Sequence, residues 1–260
     1  MSGTGREPPI LVAEGLGKTF GGFRALSGVS VAFRRGALTS IIGPNGAGKS
    51  TLFSLLTGAF PPSEGRVLFR GRDVTGFPQH AFARLGIAKS FQITSVFPRL
   101  SVLENVRTAR QARVSRLDIW RPRALLPGLA EESRALLDRV GLAAHAGRPA
   151  GTLAHGEQRA LEVAMALASD PALLLLDEPT AGMGPEETLA AMDLIRRLAA
   201  ERTVVLVEHK MRLVMGISDR VVVLHQGELL AEGTPDEIRA DQRVRRVYLG
   251  ERDHAPAAAA

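Results

Sequence analysis

The chain has 260 residues, of which 45% are apolar and 23% are charged, and it contains no cysteine. This length is sufficient for one large domain or two small ones, and the lack of cysteine excludes disulfides and thiolate metal sites. No apolar run approaches the roughly 18 residues of a membrane-spanning helix, so we expect a soluble globular protein whose membrane work, if any, goes through partners.

The charge balance is basic, with 33 Lys and Arg against 27 Asp and Glu, a net charge of +6 and a pI of about 10.6. Such values are compatible with nucleic-acid binding. The surplus is local, however, because seven arginines and two acidic residues lie between Arg99 and Arg123. This segment is interpreted either as a docking surface or as a solvated arginine-rich helix face.

The first third of the chain predicts an antiparallel sheet, since the strand-like segments ILVAEGLGKTF, SVAFRRG and GRVLFRGRDV are separated by glycine-containing turns. Further along, short apolar runs alternate with helical patterns, which indicates a mainly parallel sheet covered by helices. These runs are TSII (39–42), LLLL (173–176), TVVLV (203–207) and RVVVL (220–224). The predicted fold class is therefore α/β, with a mixed, mainly parallel core sheet and an N-terminal antiparallel β subdomain.

Strand signals are missing from the middle of the chain, where the pattern favours helices. One helix is predicted over 101–113, with Ser101 as N-cap and Glu104 at the capping-box position. A second is predicted over 130–140, with Gly141 as its stop.

We expect one domain over residues 1–250, with an α-helical subdomain of about 95–155 inserted in the core. No repeat of 20–50 residues is visible, which argues against two tandem copies of one module. The low-complexity tail, 251–260, is predicted to be disordered.

A glycine-rich sequence, GPNGAGKST, lies between the run TSII and a helical pattern. Strand, loop and helix in this order predict a phosphate-binding loop, because backbone N–H groups and the positive end of the helix surround the anion. Lys49 is expected to reach the β- and γ-phosphates and the Ser50 hydroxyl to bind Mg²⁺. The predicted nucleotide-binding residues of this loop are Gly43, Pro44, Asn45, Gly46, Ala47, Gly48, Lys49, Ser50 and Thr51.

Two carboxylates follow the buried run Leu173–Leu176. A parallel strand delivers such residues to its carboxyl edge, beside the phosphate loop. Asp177 is predicted to hold the Mg²⁺ shell, through water, and Glu178 to orient and polarise the attacking water.

A third motif stands before the helical pattern RALEVAMALAS, and its glycine precedes Asp177 by 21 residues. It is similar to the signature of ATP-binding-cassette (ABC) proteins, usually written LSGGQ, and the resemblance extends from about Ile10 to Leu249. In that family the signature presents helix N-terminal amides to ATP held by the other subunit. The signature residues here are Leu153, Ala154, His155, Gly156, Glu157 and Gln158.

The resemblance implies roles for three further residues. Gln92, in KSFQ, corresponds to the Q-loop glutamine, which contacts the metal and the attacking water, and His209, in VEHK, to the switch histidine at the γ-phosphate. Phe20, in KTFGG, stands where the family stacks an aromatic ring on adenine. The predicted catalytic residues are thus Glu178, His209 and Gln92, and the predicted metal ligands are Ser50, Gln92 and Asp177.

The chain departs from the family pattern at two positions. Ala154 replaces the usual signature serine, and Gly184 stands where many cassettes carry the D-loop aspartate. Both departures resemble the cassettes of polar and branched-chain amino-acid importers, as do FGGFRAL, VEHKMRLVMGISDR and GTPDEIRADQRVRRVYLGE.

The resemblance implies an ATPase in which two cassettes face head to tail, each sandwiching ATP and Mg²⁺ between its own residues 43–51 and the partner's signature. Expected partners are two membrane-spanning permease subunits, docked near Gln92 and the inserted helices, a second cassette that is identical or a paralogue, and indirectly a periplasmic or extracellular solute-binding protein. The expected location is peripheral, on the cytoplasmic side of the inner membrane, where the basic segment Arg99–Arg123 would meet cytoplasmic loops or anionic headgroups. No nucleic-acid partner is expected.

Several alternatives stay open at this point. A urea or short-amide importer is a close variant, and lipopolysaccharide export has a similar tail, RVYLGE, although VEHKMRLVM favours the amino-acid importer. A soluble cassette acting on DNA or ribosomes is disfavoured, because the motif spacing leaves no room for a long coiled coil and there is one phosphate loop. An inactive binding module is opposed by the presence of both Glu178 and His209.

Overall fold

The computed structural model describes residues 8–89, 96–114 and 128–249. The strands are β1 (Leu11–Phe20), β2 (Phe23–Phe33), β3 (Leu38–Ile42), β4 (Glu64–Phe69), β5 (Arg72–Asp73), β6 (Ile87–Lys89), β7 (Leu173–Asp177), β8 (Thr203–Val207), β9 (Arg220–His225) and β10 (Glu228–Gly233). The helices are α1 (Lys49–Leu56), α2 (Gln79–Leu85), α3 (Val102–Val114), α4 (Leu129–Arg139), α5 (His155–Leu167), α6 (Pro185–Ala199), α7 (Met211–Ile217), α8 (Pro235–Ala240) and α9 (Gln242–Leu249).

The amino-terminal strands form an antiparallel sheet in the order β2-β1-β4-β5. At the β1–β2 turn, Phe20 pairs with Phe23 across Gly21 and Gly22. Both glycines have positive φ, 50° and 95°, as a two-residue hairpin turn of this hand requires. The predicted antiparallel β subdomain is confirmed.

The second sheet has the order β10-β9-β3-β8-β7-β6, and only its β9–β10 pair is antiparallel. Since β8 lies between β3 and β7, the carboxyl ends of these three strands meet at one edge. The segments that follow them are the glycine-rich loop, the acidic pair and the segment that contains His209. The predicted mixed, mainly parallel core sheet is confirmed.

The central strands are buried on both faces, and their side chains alternate between two apolar clusters. Leu175 and Val205 belong to the cluster shared with α1 and the antiparallel sheet. Leu174 and Val204 belong to the opposite cluster, with side chains of the helices α3 to α6. The core sheet is thus covered by the β subdomain on one side and helices on the other.

The two helices predicted in the middle of the chain form within one residue of their expected bounds. The Glu104 amide donates to the Ser101 hydroxyl over 3.1 Å, as an N-cap requires. Gly141 follows α4 with a positive φ of 77°. The division into a core and an inserted subdomain stays a prediction, and the tail at 251–260 lies outside the described residues.

Part of the basic surplus is neutralised within the chain. Arg107 pairs with Glu104 over 3.0 Å, and Arg110 pairs with Glu132 over 2.6 Å while donating to the Ala168 carbonyl. The Arg107 pair lies within α3, whereas Arg110 joins α3 to α4 and to the end of α5. The two interpretations of the basic segment, a docking surface or a solvated helix face, stay predictions. In the described ranges, no helix combines the length and apolarity needed to cross a bilayer.

Candidate nucleotide site

The glycine-rich loop joins the end of β3 to Lys49, the first residue of α1. Two of its glycines are required by close contacts: a Cβ on Gly43 would lie 2.4 Å from the Leu224 carbonyl oxygen, and one on Gly48 would lie 2.7 Å from Leu26 Cδ2. Gly48 also has a φ of 95°, which favours glycine. The loop is therefore wedged between β2 and β9, with its backbone at the amino end of α1.

Lys49 is buried, and its ammonium donates to the carbonyls of Gly43 and Pro44 over 2.8 and 3.0 Å. Burial lowers the pKa of this ammonium, while the negative charges of Glu178 and Asp177 oppose the shift. The Lys49 ammonium thus lies between its own loop and the two carboxylates, a position in which it can bind an anionic group.

Asp177, the last residue of β7, is 7% exposed. Burial, and then the neighbouring charge of Glu178, raise its pKa to about 6, against the opposing charges of Lys89, Lys49 and Arg159. A buried carboxylate beside a second carboxylate is suited to bind a divalent metal, whose charge would favour the ionised form of Asp177.

Glu178 has a left-handed backbone, with a φ of 45°. Its N–H donates to the Val207 carbonyl at the end of β8 over 2.9 Å. This strained conformation is held by the neighbouring strand and fixes where the carboxylate leaves the backbone.

His209 lies beside that carboxylate, with Nδ1 3.9 Å from Glu178 Oε1, and its side chain is half-exposed. The structure therefore brings together the predicted residues Lys49, Asp177, Glu178 and His209 at the carboxyl edge of the sheet. Gln92 lies outside the described residues.

Sequence reasoning missed Glu208, which is fully buried behind His209. Its carboxylate accepts from the amides of His209 and Lys210 over 3.0 and 3.3 Å and from the Thr180 hydroxyl. The Lys210 ammonium donates in turn to the Thr180 carbonyl over 3.2 Å. Glu208 thereby ties the segment after β8 to the one after β7. One sequence feature could have identified Glu208: it is an acidic residue directly after the apolar run TVVLV.

Phe20 lies at the hairpin tip and is 45% exposed. Its ring meets Phe60 edge to face at 5.4 Å, and Lys18 Nζ lies 5.2 and 5.0 Å from the two ring centroids. Phe60 and Lys18 were not predicted. Because Leu26 of the same hairpin lies against Gly48, this aromatic platform is next to the glycine-rich loop.

The hexapeptide from Leu153 to Gln158 forms the start of α5. Glu157 Oε2 accepts from the Ala154 amide over 2.8 Å, and Gln158 Nε2 donates to the Leu153 carbonyl over 3.0 Å. His155 Nε2 lies 3.2 Å from the Ala181 carbonyl oxygen.

Glu187 packs closely against Gly156, because a Cβ added to Gly156 would lie 2.9 Å from Glu187 Oε1. Glu187 also accepts from the Gly184 amide over 3.1 Å, so Gly184 is the N-cap of α6. Among the described residues, no hydrogen bond joins the hexapeptide to residues 43–51. The structure places the two motifs in one chain without bonding them to each other.

A glycine-rich loop that opens a helix, with acidic residues on the strand two positions away in the sheet, defines a P-loop nucleoside triphosphatase. The sequence profile described as "ABC transporter" matches residues 26–181, and the one described as "Branched-chain amino acid ATP-binding cassette transporter" matches 228–254. The chain belongs to the ABC family of ATP-binding cassettes, whose members are ATPases.

Relatives and solved structures agree with this assignment. The high-affinity branched-chain amino acid transport ATP-binding protein LivG of Salmonella typhimurium is 42% identical over 258 residues, covering 94% of this chain and 98% of the relative. The crystal structure of the ADP conformation of MJ1267, an ATP-binding cassette of an ABC transporter, is 31% identical, with a TM-score of 0.84 over 94% of this chain and 100% of the other. A dimeric post-hydrolysis structure of the cassette MJ0796, bound to ADP and phosphate, is 25% identical, with a TM-score of 0.74 over 86% and 98%.

Proposed function

We propose that this chain is the ATP-hydrolysing subunit of an importer for branched-chain amino acids. The observation that carries the proposal is the convergence of Lys49, Asp177, Glu178 and His209 at one sheet edge, in a chain that resembles LivG over nearly its whole length. The match of residues 228–254 to the branched-chain cassette profile favours this solute class over urea or lipopolysaccharide.

In this proposal residues 43–51 hold the phosphates of ATP, and Phe20 stacks on the adenine. The amides at the start of α1 and the Lys49 ammonium compensate the phosphate charge. The ammonium has three N–H donors, of which two are on the carbonyls of Gly43 and Pro44, so a third can be donated to a phosphate oxygen.

Ser50 and Asp177, with Gln92, supply the ligands for Mg²⁺. A hydroxyl and a carboxylate are hard oxygen donors that suit this ion. Bound Mg²⁺ supplies positive charge at the phosphates. The raised pKa of Asp177 makes this carboxylate the group that gains most from such a charge.

Glu178 orients and polarises the attacking water, and His209 stabilises the γ-phosphate. The strained backbone of Glu178 and the anchoring of His209 by Glu208 place both side chains before substrate binds. Such preorganisation removes the need to order these groups during the reaction.

The signature residues Leu153–Gln158 act on ATP held by a second cassette. Two facts support this: within the described residues the hexapeptide has no hydrogen bond to residues 43–51 of its own chain, and the similar cassette MJ0796 is dimeric with ADP and phosphate bound. ATP then joins the two subunits, and its hydrolysis removes the bridging contacts so that the dimer opens.

The chain would work as a peripheral subunit on the cytoplasmic side of the membrane, with two permease subunits that form the solute path and a binding protein that delivers the solute. Residues 1–250 would form one cassette domain, with the helices α3 and α4 in the subdomain nearest the permeases.

Uptake into vesicles that contain the permeases and this chain, with its paralogue where the pair is mixed and with the solute-binding protein added, tests the proposal. We expect ATP-dependent uptake of radiolabelled leucine, isoleucine or valine and none of urea. Uptake of urea alone, or uptake of leucine without ATP, would contradict it. Vesicles that carry the Glu178→Gln variant are the matched control.

A further inference from the structure

A series of side-chain contacts ends at Ala154, the N-cap residue of the signature helix α5. Arg148 Nη1 lies 3.0 Å from His145 Nδ1, and His145 Nε2 lies 3.1 Å from Glu157 Oε1. The other carboxylate oxygen of Glu157 accepts from the Ala154 amide over 2.8 Å. We call Arg148, His145 and Glu157 the relay.

The donor and acceptor roles in the relay follow from the chemistry of arginine. A guanidinium can only donate, so His145 Nδ1 accepts from Arg148. The other ring nitrogen, Nε2, lies 3.1 Å from Glu157 Oε1. One oxygen of Glu157 therefore contacts the imidazole and the other accepts from the Ala154 amide, and these two contacts favour one orientation of the carboxylate.

The relay is anchored to the start of α3. Arg148 Nη2 donates to the Thr152 carbonyl over 3.0 Å, and the Arg148 carbonyl accepts from the Val102 amide over 2.9 Å. The Ala146 carbonyl accepts from the Leu103 amide over 2.9 Å. The loop that carries His145 therefore moves with α3.

The residues before α3 belong to the same unit. Asn105, fully buried, accepts from the Phe97 amide over 2.7 Å and donates to the Phe97 carbonyl over 3.1 Å. Phe97 itself is half-exposed. An exposed surface at Phe97 is thus connected through α3 and the relay to the signature helix.

The helix start depends on Glu157 because Ala154, at the N-cap, has no hydroxyl to accept an amide hydrogen. The side chains of His145 and Glu157 are each about 30% exposed, and an exposed pair of this kind adds little stability. The pair acts by fixing a geometry. Without His145, the Glu157 side chain can turn into solvent, and the Ala154 amide at the amino end of α5 then loses its carboxylate acceptor.

We infer that His145, held by Arg148, is a positioning residue that orients the signature helix toward ATP on the partner cassette. The inference rests on the proposed function, since it assigns a role within the two-chain site. A signature displaced by about 1 Å can cost on the order of 100-fold in rate, whereas the cassette's own phosphate loop is untouched.

The test compares His145→Leu with His145→Gln in the full chain. His145→Leu should weaken ATP-dependent dimerisation and raise the KM for ATP hydrolysis by about tenfold or more, with binding of a fluorescent ADP analogue to the monomer unchanged. His145→Gln keeps an N–H donor for Glu157 and an acceptor for Arg148, so it should restore most of the loss. His80→Leu, which removes an exposed histidine on α2, is the matched control and should behave as the parent.

Three outcomes decide the matter. Equal dimerisation and KM for His145→Leu and the parent would overturn the inference alone. A His145→Gln variant as defective as His145→Leu, with monomer nucleotide binding also weakened, would mean that His145 only supports the fold, which also overturns it. A parent that does not dimerise with ATP would overturn the two-chain site of the proposed function.

Arg148→Met, which removes the anchor but keeps His145, should reproduce the His145→Leu effect.

Discussion

The two halves of the site differ in how much of their environment the chain itself provides. The phosphate half, residues 43–51 with Asp177, Glu178 and His209, is assembled from neighbouring strands and is tied together by buried bonds. The signature half, residues 153–158, is bonded to segments 145–148 and 181–187 and has no hydrogen bond to the phosphate half within the described residues. The described part of one half is assembled within a single chain, whereas in the proposed function the other half meets ATP that a second chain holds.

The largest expected effect in the phosphate half is that of Glu178→Gln. Removing the group that polarises the attacking water should lower the ATPase rate by about 10²–10⁴-fold, because that is the usual contribution of a general base. Binding of ATP should persist, as measured with a fluorescent analogue. Glu186→Gln, at the exposed start of α6, is the control, and a Glu178→Gln variant with near-normal turnover would reject the assigned role.

Glu208→Gln should have the next largest effect. An amide offers one acceptor oxygen where the carboxylate offers two. With that oxygen on the amides of His209 and Lys210, the Thr180 hydroxyl must accept from the new Nε2 instead of donating, and all these bonds lose the charge of the carboxylate. We expect the free energy of unfolding to fall by about 1–3 kcal/mol, and kcat to fall because the His209 backbone is no longer fixed. Chemical denaturation and steady-state kinetics measure both, with the exposed Glu228→Gln as control; unchanged kcat would show that His209 needs no such anchor.

Phe20→Ala should weaken ATP binding by about 2–10-fold, the range expected for loss of one aromatic stacking contact. Phe20→Tyr should bind as the parent does. The control is Phe23→Ala, on the other strand of the same hairpin and more exposed. If the Phe20→Ala and Phe23→Ala variants bound ATP with equal affinity, Phe20 would not be the residue that stacks on adenine.

The last comparison concerns only the stability of the nucleotide-free chain. The pKa of Asp177 is raised from 3.8 to about 6 in the folded chain, so its ionisation destabilises the fold as pH rises through this interval. Asp177→Asn should remove that decline and raise the Tm of the nucleotide-free chain at pH 7, but not at pH 4. Thermal unfolding across pH measures this, with the exposed Asp193→Asn as control; parallel curves for parent and Asp177→Asn would contradict the burial argument.

The sequence predicted the features that depend on local signals. The apolar runs, the glycine-rich loop and the Ser101 cap each lie within a short segment, and each has the expected structure. Asp177 and Glu178 could be placed beside the loop because parallel strands end at one edge.

The features that were missed depend on contacts between distant segments. Phe60 contacts Phe20 within the β subdomain. Glu208, after β8, bonds Thr180, after the neighbouring strand β7, and His145 contacts Glu157 from another loop. No pattern within one segment indicates such pairs. The short elements α2 and β6 were also not predicted, since they are fixed by packing on the core rather than by a periodic run.

Mixing two inactive variants tests the two-chain site most directly. Lys49→Ala removes the phosphate half's cation, and we expect it to lose nucleotide binding and hydrolysis. Ala154→Asp adds a good N-cap that leaves the fold intact but places a negative charge where the signature meets the partner's γ-phosphate, so it should also be inactive. A mixed dimer has one site with an intact loop from the Ala154→Asp chain and an intact signature from the Lys49→Ala chain. We predict that mixing the two variants restores ATPase activity that neither has alone, whereas a mixture as inactive as its components, under conditions where the parent is active, would contradict the account.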